Sequence, residues 1–596
     1  MTKAITRAAI ALTATCATLI AVTAASAHPP EQHDAQRAVY TSPEHRLQNL
    51  LDTGALDLKA RFASLECRDG SAGPYECKKV DLESFVPLPQ LGGVTGNDIW
   101  GWTDPKTGKE YAIVGTSTSV GFVDISDPKA PEMVGFLPTA GLGATVLWRD
   151  VKVYANHAFI VSEIDDSGMQ VFDLRRLRDE SGILDADAFY DKLSNTHNLA
   201  INEATGFAYA VGNTGGLAPP LTTDPEPCES SSGEGGGLHM IDIRQPKNPQ
   251  FAGCALVEVP FDPENNYVHD VECVIYDGPD AEHAGDEICF GSNENAVVIY
   301  DVTDKANPAV LSETTYPTAA YTHQGTLTED RQFFVFGDEL DEGVASSGGG
   351  ETVDNTTSYV MSVADLENPG APNAHTHETN SIDHNMYVHE GRLYQSNYAA
   401  GLRIHEYDNE SLAGGELREV AFFDFLPGVD VNDFAGTWSN YPFFESGLVV
   451  VSAIEEQQNG LLVLRPRLSG RGPAPAGSGS GGGDAAGGGS GTAGSGAGGG
   501  GPACAERIDG TRASERIKGS AAGERMRGRR GADKLKGRGG DDCLNGGKGR
   551  DRVSGGSGDD RVRGGRGRDR LRCGAGEDVA YASARDRVAK SCETVK

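Results

Sequence analysis

Apolar residues recur along this chain on two beats, and neither is helical. From residue 504 onward one large apolar position returns every nine residues: Ile508, Ile517, Met526, Leu535, Leu544, Val553, Val562 and Leu571. An acid stands two residues before each, at Glu506, Glu515, Glu524, Asp533, Asp542, Asp551, Asp560 and Asp569, and Asp578 continues the series with Ala580 in the apolar slot. Gly546–Ser554, Gly555–Arg563 and Gly564–Arg572 follow G-G-x-G-x-D-x-U-x throughout, where U is large and apolar. A period this short cannot hold a helix and a turn. It predicts very short strands wound into a parallel β-roll, with the U side chains stacked inside and glycines at turns of positive φ.

The second beat is longer and looser. An aliphatic–aromatic phrase ending in Asp recurs as Gly121-Phe-Val-Asp-Ile-Ser-Asp-Pro128, Met169-Gln-Val-Phe-Asp173, Leu238-His-Met-Ile-Asp-Ile243 and Val297-Val-Ile-Tyr-Asp-Val-Thr-Asp304. Weaker copies are Tyr359–Asp365 and Arg403–Asp408. Each reads as a strand closed by a turn. A polar dipeptide precedes each strand group: Asn97-Asp98, Arg149-Asp150, His197-Asn198, His269-Asp270, His323-Gln324, His384-Asn385 and Thr437-Trp438, spaced 52, 48, 72, 54, 61 and 53 residues apart. Units of that length with about four strands are propeller blades. The seventh unit ends at Leu461-Leu-Val-Leu464 without an outer strand, and Val80–Val86, upstream of the first unit, can supply it. Helical periodicity is confined to residues 43–65 and 172–194. The expected fold is therefore all-β: a seven-bladed β-propeller, a Gly-rich linker, and a parallel β-roll tail.

Composition separates these parts. Residues 504–596 carry 24 Lys and Arg against 15 Asp and Glu, a formal +9, which leaves −43 for the remainder of a chain whose total is −34. Residues 470–502 are almost wholly Gly, Ala, Ser and Pro, too poor in apolar surface to fold, and read as a tether. The first residues read as an export signal: Lys3 and Arg7, an apolar stretch from Ala8 to Val22 that contains Cys16, and a small-residue cleavage site at Ala25-Ser26-Ala27. The predicted organisation is a signal peptide at 1–27, an N-terminal segment at 28–79, the propeller at 80–467, the linker at 468–503 and the roll at 504–596. Removal of Cys16 leaves ten cysteines, which suits disulfides outside the cell. Neighbours in sequence suggest Cys67 with Cys77, Cys228 with Cys254, Cys273 with Cys289, Cys573 with Cys592, and Cys504 with Cys543. No segment of the mature chain is long and apolar enough to span a bilayer. So acidic a body would repel phosphates, which argues against nucleic acid as a partner.

The tail resembles the RTX, or haemolysin-type, calcium-binding repeats over roughly Gly528–Tyr581. The resemblance implies calcium as cofactor, with Asp533, Asp542, Asp551, Asp560, Asp569 and Asp578 as ligands. Asp oxygens and glycine carbonyls suit an ion that takes six to eight oxygen ligands. Two departures stand out. Arg550 and Arg568 crowd the fifth repeat position, where a guanidinium would weaken a cation site. The three earliest units have Glu for Asp and fewer glycines, and read as metal-free.

The propeller resembles the LVIVD-repeat proteins, specifically the choice-of-anchor B family. The matching phrases are Cys67–Leu82, Tyr321-Thr-His-Gln-Gly325, Gly337-Asp-Glu-Leu-Asp341, Gln395-Ser-Asn-Tyr398, Trp438-Ser-Asn-Tyr-Pro442 and Leu461–Pro466. The family name implies one extracellular domain joined to different surface-retention tails, and no transferable reaction. The expected function is accordingly a secreted or cell-surface binding protein whose partner is an unidentified extracellular or envelope protein or glycan. The alternative is a secreted metal-dependent hydrolase. His197, His269, His323 and His384 occupy equivalent slots and could converge on the channel as transition-metal ligands, with Asp98, Asp150, Asp270 and Asp338–Glu342 adding oxygens. Against this stands the plainer reading of repeat-derived polar residues that hydrogen-bond neighbouring blades. No nucleophile elbow, phosphate loop, dinucleotide motif or zinc-protease helix occurs, so catalysis is the less favoured expectation.

Overall fold

The computed structural model describes residues 64–468, apart from 141–147, 165–166, 214–227, 229–236, 257–266, 343–351, 430 and 455–459, and most of 506–595. The expected export signal, most of the 43–65 stretch of helical periodicity, nearly all of the expected linker and Cys504 lie outside the described residues. The chain divides into two compact units between residues 478 and 479.

In the first unit the described strands form seven sheets, antiparallel except where Gly182–Ile183 runs parallel to Glu132–Pro138. Their innermost strands are Gly96–Thr103, Arg149–Tyr154, Asn198–Asn202, Asp270–Ile275, Thr322–Leu327, Met386–His389 and Thr437–Tyr441, and each neighbours the next around a closed ring. The polar dipeptides of the sequence fall at or beside the start of these strands. The Asp-ending phrases are the third strands, such as Ser119–Asp124, Met169–Asp173, Leu238–Asp242 and Val297–Asp301.

Burial explains the near-continuous apolar runs. Middle strands such as His157–Ser162 and Glu287–Ser292 are buried at every residue because blades pack on both faces, whereas the outer strand Ala309–Thr314 is half exposed. The terminal Asp of the phrase makes the turn: its Oδ1 accepts the backbone N–H two residues on, at 3.0 Å for Asp124 and Ser126, 3.0 Å for Asp301 and Thr303, and 3.1 Å for Asp242 and Arg244. A bulge between third and fourth strands recurs at Phe122/Val123, Met240/Ile241, Ile299/Tyr300 and Ile404/His405.

Val80–Pro87 pairs antiparallel with Gly460–Pro466 and completes the seventh blade, closing the ring with chain from its opposite end. Four predicted disulfides form: Cys67–Cys77, Cys228–Cys254, Cys273–Cys289 and Cys573–Cys592. The helix expected over 172–194 does not form. Asp173 caps a single 3-10 turn, Leu174–Arg178, and Gly182 at φ 84° diverts the chain into two short edge strands, Gly182–Ile183 and Ala188–Tyr190. The apolar spacing that suggested a helix instead sends Leu174, Leu177 and Leu184 into the core between the first two blades.

The second unit is a parallel β-solenoid in which paired residues lie 18 apart, as in Leu535 with Val553 and Leu544 with Val562. Alternate nonapeptides thus build opposite faces. Met526, Leu535, Leu544, Val553, Val562, Leu571 and Ala580 fill its interior with Ile517, Cys573 and Cys592.

Candidate functional site

Two features concentrate chemistry. In the solenoid, Asp533, Asp542, Asp551, Asp560, Asp569 and Asp578 are each no more than 1% exposed. One carboxylate oxygen of each is spent on the ladder: Oδ1 accepts the backbone N–H of the acid 18 residues earlier, at 2.7 Å from Asp533 to Asp551, 2.9 Å from Asp542 to Asp560, and 2.8 Å from Asp551 to Asp569. The other oxygen, Oδ2, of Asp533, Asp542 and Asp551 is buried and accepts no hydrogen bond. Such a group is costly to bury without a proton or a cation. Burial pushes Asp542 and Asp551 up to about 7 and raises Asp533 as well.

The glycines face those oxygens. A methyl placed on Gly546 would lie 2.7 Å from the Gly564 carbonyl oxygen and 2.8 Å from Asp551 Oδ2. Both oxygens therefore converge on the space where that side chain would be. At Gly528 the same position meets the Gly546 carbonyl oxygen and, at 2.7 Å, Asp533 Oδ2. Paired carbonyl and carboxylate oxygens around a void are what calcium requires, so the residues fit the ion. Arg550 and Arg568 are exposed, which keeps their guanidinium groups in solvent. Glu524, in one of the early units read as metal-free, is placed like the aspartates. It is fully buried, its backbone N–H donates to Asp542 Oδ1 at 2.8 Å, and its Oε2 accepts no hydrogen bond. The substitution of Glu for Asp concealed it in the sequence.

The second feature lines the propeller channel. His197, His269, His323 and His384 are buried and form an arc, with successive ring centroids 4.4, 4.2 and 4.2 Å apart, continued by Trp438 at 4.3 Å from His384. Blade-to-blade hydrogen bonding accounts for part of the arc. His269 Nδ1 donates to the His323 carbonyl at 2.7 Å and His384 Nδ1 to the Trp438 carbonyl at 2.5 Å. His197 Nδ1 instead meets Glu163 Oε1 at 2.6 Å. Burial depresses His384 to about 3 and carries His269 well below the usual imidazole range. Glu339 stands 3.7 Å from both His323 Nε2 and His384 Nε2.

Asp98 and Asp150 do not join the histidines. Lys152 Nζ lies 2.8 Å from Asp98 Oδ2 and 2.5 Å from Asp150 Oδ1. Burial opposes it, yet Lys152 holds Asp98 below the usual carboxylate range, while burial drives Asp150 well above. Further along the inner strands a cavity of about 630 Å³ opens, lined by Trp100, Lys152, Asp270, Glu272, Tyr387 and Tyr441 among others. That volume suits a small ligand or a side chain of a partner. Burial raises Asp270 to about 7. Of the acidic run, Asp338, Asp341 and Glu342 are buried beside Asp383, and burial with mutual repulsion raises Asp341 to about 9 and Asp383 well above its ordinary value.

A propeller followed in sequence by a parallel β-roll is thus the architecture. The RTX calcium-binding nonapeptide repeat matches residues 518–553 and 554–584, in four copies, and the tail binds calcium through these repeats. No curated protein matches the chain. Among solved structures, the β-propeller domain of Cps50 (Swd1) from Myceliophteria thermophila is 10% identical, with a TM-score of 0.38 over 60% of this chain and 94% of that one. U3-55K is 9% identical, with a TM-score of 0.37 over 61% and 94%. A putative 6-phosphogluconolactonase from Bacteroides fragilis is 11% identical, with a TM-score of 0.36 over 57% and 85%. No helix among the described residues is long and apolar enough to cross a membrane.

Proposed function

We propose that this is a secreted, non-catalytic binding protein of the LVIVD-repeat, choice-of-anchor B kind, whose calcium-loaded tail holds it at the cell surface. Asp533, Asp542, Asp551, Asp560, Asp569 and Asp578 are the calcium ligands, and the propeller presents its cavity to an extracellular or envelope protein or glycan. The observation that carries the reading is the ladder of buried carboxylates whose second oxygens face glycine carbonyls. Cysteines paired as disulfides support an oxidising compartment. The Arg-rich, exposed outer positions of the roll suit anionic surface polymers.

Fractionation of the native cells, with and without a calcium chelator, tests it. The full chain is expected in the surface fraction and released by chelation, and a chain lacking residues 504–596 is expected in the medium. Retention inside the cell, or surface attachment indifferent to both chelator and tail, would overturn the proposal.

A further inference from the structure

The calcium reading leaves the channel histidines unused, and their arrangement carries an inference independent of it. His323, Glu339 and His384 each offer a ligating atom, and these atoms all lie within 4.8 Å of one another. All three residues are buried, at 3%, 1% and 2% exposure. They come from different strands: His323 from the inner strand of the fifth blade, Glu339 from the end of that blade's second strand, and His384 from the segment entering the sixth. The packing of the sixth blade against the fifth, rather than any local motif, brings them together.

The tautomer of His384 is fixed by its neighbour. Its Nδ1–H donates to the Trp438 carbonyl at 2.5 Å, so the lone pair resides on Nε2. That atom is buried and makes no hydrogen bond. It faces Glu339 Oε1 at 3.7 Å. Tyr398 already donates its hydroxyl hydrogen to the same Oε1, at 2.5 Å. A lone pair and a carboxylate oxygen face each other there, an arrangement that suits a cation between them. Ligand atoms around a tetrahedral zinc ion, bonded at roughly 2.0–2.1 Å, stand about 3.3 Å apart. The two histidine–carboxylate separations of 3.7 Å need contract by only a few tenths of an ångström to reach it, and the full set, within 4.8 Å, by at most about 1.5 Å. A backbone carbonyl orienting a histidine and a phenol orienting a carboxylate are the outer contacts that metal ligands commonly have.

We propose that His323, Glu339 and His384 form a binding site for one divalent transition-metal ion of the zinc class in the propeller channel. Two imidazoles with one carboxylate select such an ion over calcium, which takes oxygen donors. The His269 ring, 4.2 Å from that of His323, stands beside the site.

The test uses the full chain, stripped of metal and then held in excess calcium so that the tail is saturated. It is titrated with cobalt(II), whose visible absorption reports imidazole ligation. One cobalt per chain is expected, displaced by one equivalent of zinc. His384→Ala should weaken binding by more than the roughly 10- to 100-fold that loss of an outer contact costs, whereas Glu132→Gln, on the exposed outer strand of the first blade, should leave it unchanged. Should His384→Ala fail to fold by circular dichroism, His323→Gln and Glu339→Gln carry the comparison. Absence of cobalt binding by the folded wild-type chain overturns the site, as does a spectrum that survives in the folded ligand variants.

Discussion

Gly546 illustrates how much of the chemistry depends on an absent atom. Its φ is not in the left-handed region, so backbone strain does not demand glycine there. Space does, since a Cβ would take the position on which the Gly564 carbonyl oxygen and Asp551 Oδ2 converge. Gly546→Ala is therefore expected to remove calcium binding at that turn while the apolar stack of the roll stays intact, and calorimetric titration should show fewer calcium ions bound per chain. Asp551→Asn should lose the same ion without crowding the turn, which separates charge from space. Lys152 poses the opposite case. It is the shared cation of two buried carboxylates, at 2.8 and 2.5 Å, and its replacement leaves both without a counter-charge. Lys152→Met is expected to lower unfolding free energy by about 3–5 kcal/mol, the usual result of removing one partner from a buried ion pair. Chemical denaturation checks this, and a change under about 1 kcal/mol would mean the group is solvated like a surface pair.

Among the elements, the strand Val80–Pro87 has an effect beyond its size. It supplies the outer edge of the seventh blade, and its inward side chains Val80, Leu82 and Phe85 join the core between the sixth and seventh blades. Leu82→Ala leaves a cavity in that core and is expected to cost about 2–5 kcal/mol, read as a lower denaturation midpoint with the roll's calcium response unaltered. This strand was legible in the sequence because the seventh unit lacked an apolar run and the segment before the first unit had one to spare. The dipeptide markers were legible for a similar reason: an inner strand must present polar atoms to its neighbours, and it does so at the same slot each time. The stretch 172–194 was not legible. Leu174, Leu177 and Leu184 have helical spacing, and only the capped turn at Asp173 and the positive φ of Gly182 reveal that they meet the core from two separate segments, the first two from the turn and the third from beyond Gly182. Glu339 was visible only as one acid in a run of four. Its place between two histidines depends on how the fifth and sixth blades pack, which no local pattern reports.

At the scale of the whole molecule the two units differ in what keeps them folded. The propeller buries apolar residues from both faces of every blade, is closed by its own strand, and carries disulfides that clamp Cys67 to Cys77 and Cys273 to Cys289. The roll holds only two facing rows of apolar side chains, Met526, Leu544, Val562 and Ala580 against Ile517, Leu535, Val553 and Leu571, and surrounds them with carboxylates that burial has driven up to about 7 at Asp542 and Asp551. Ion binding that occurs only in the folded roll stabilises it by mass action, about 2.7 kcal/mol for each site at a calcium concentration 100-fold above its Kd. Two separate thermal transitions are therefore expected in calorimetry of the full chain. A chelator selective for calcium should lower or abolish the roll's transition and leave the propeller's in place. Restoring calcium should recover it in the wild type, but not in a chain carrying Asp551→Ala, Asp560→Ala and Asp569→Ala together. If both transitions persist unchanged under chelation, the buried carboxylates are satisfied by protons, and the roll stands without metal.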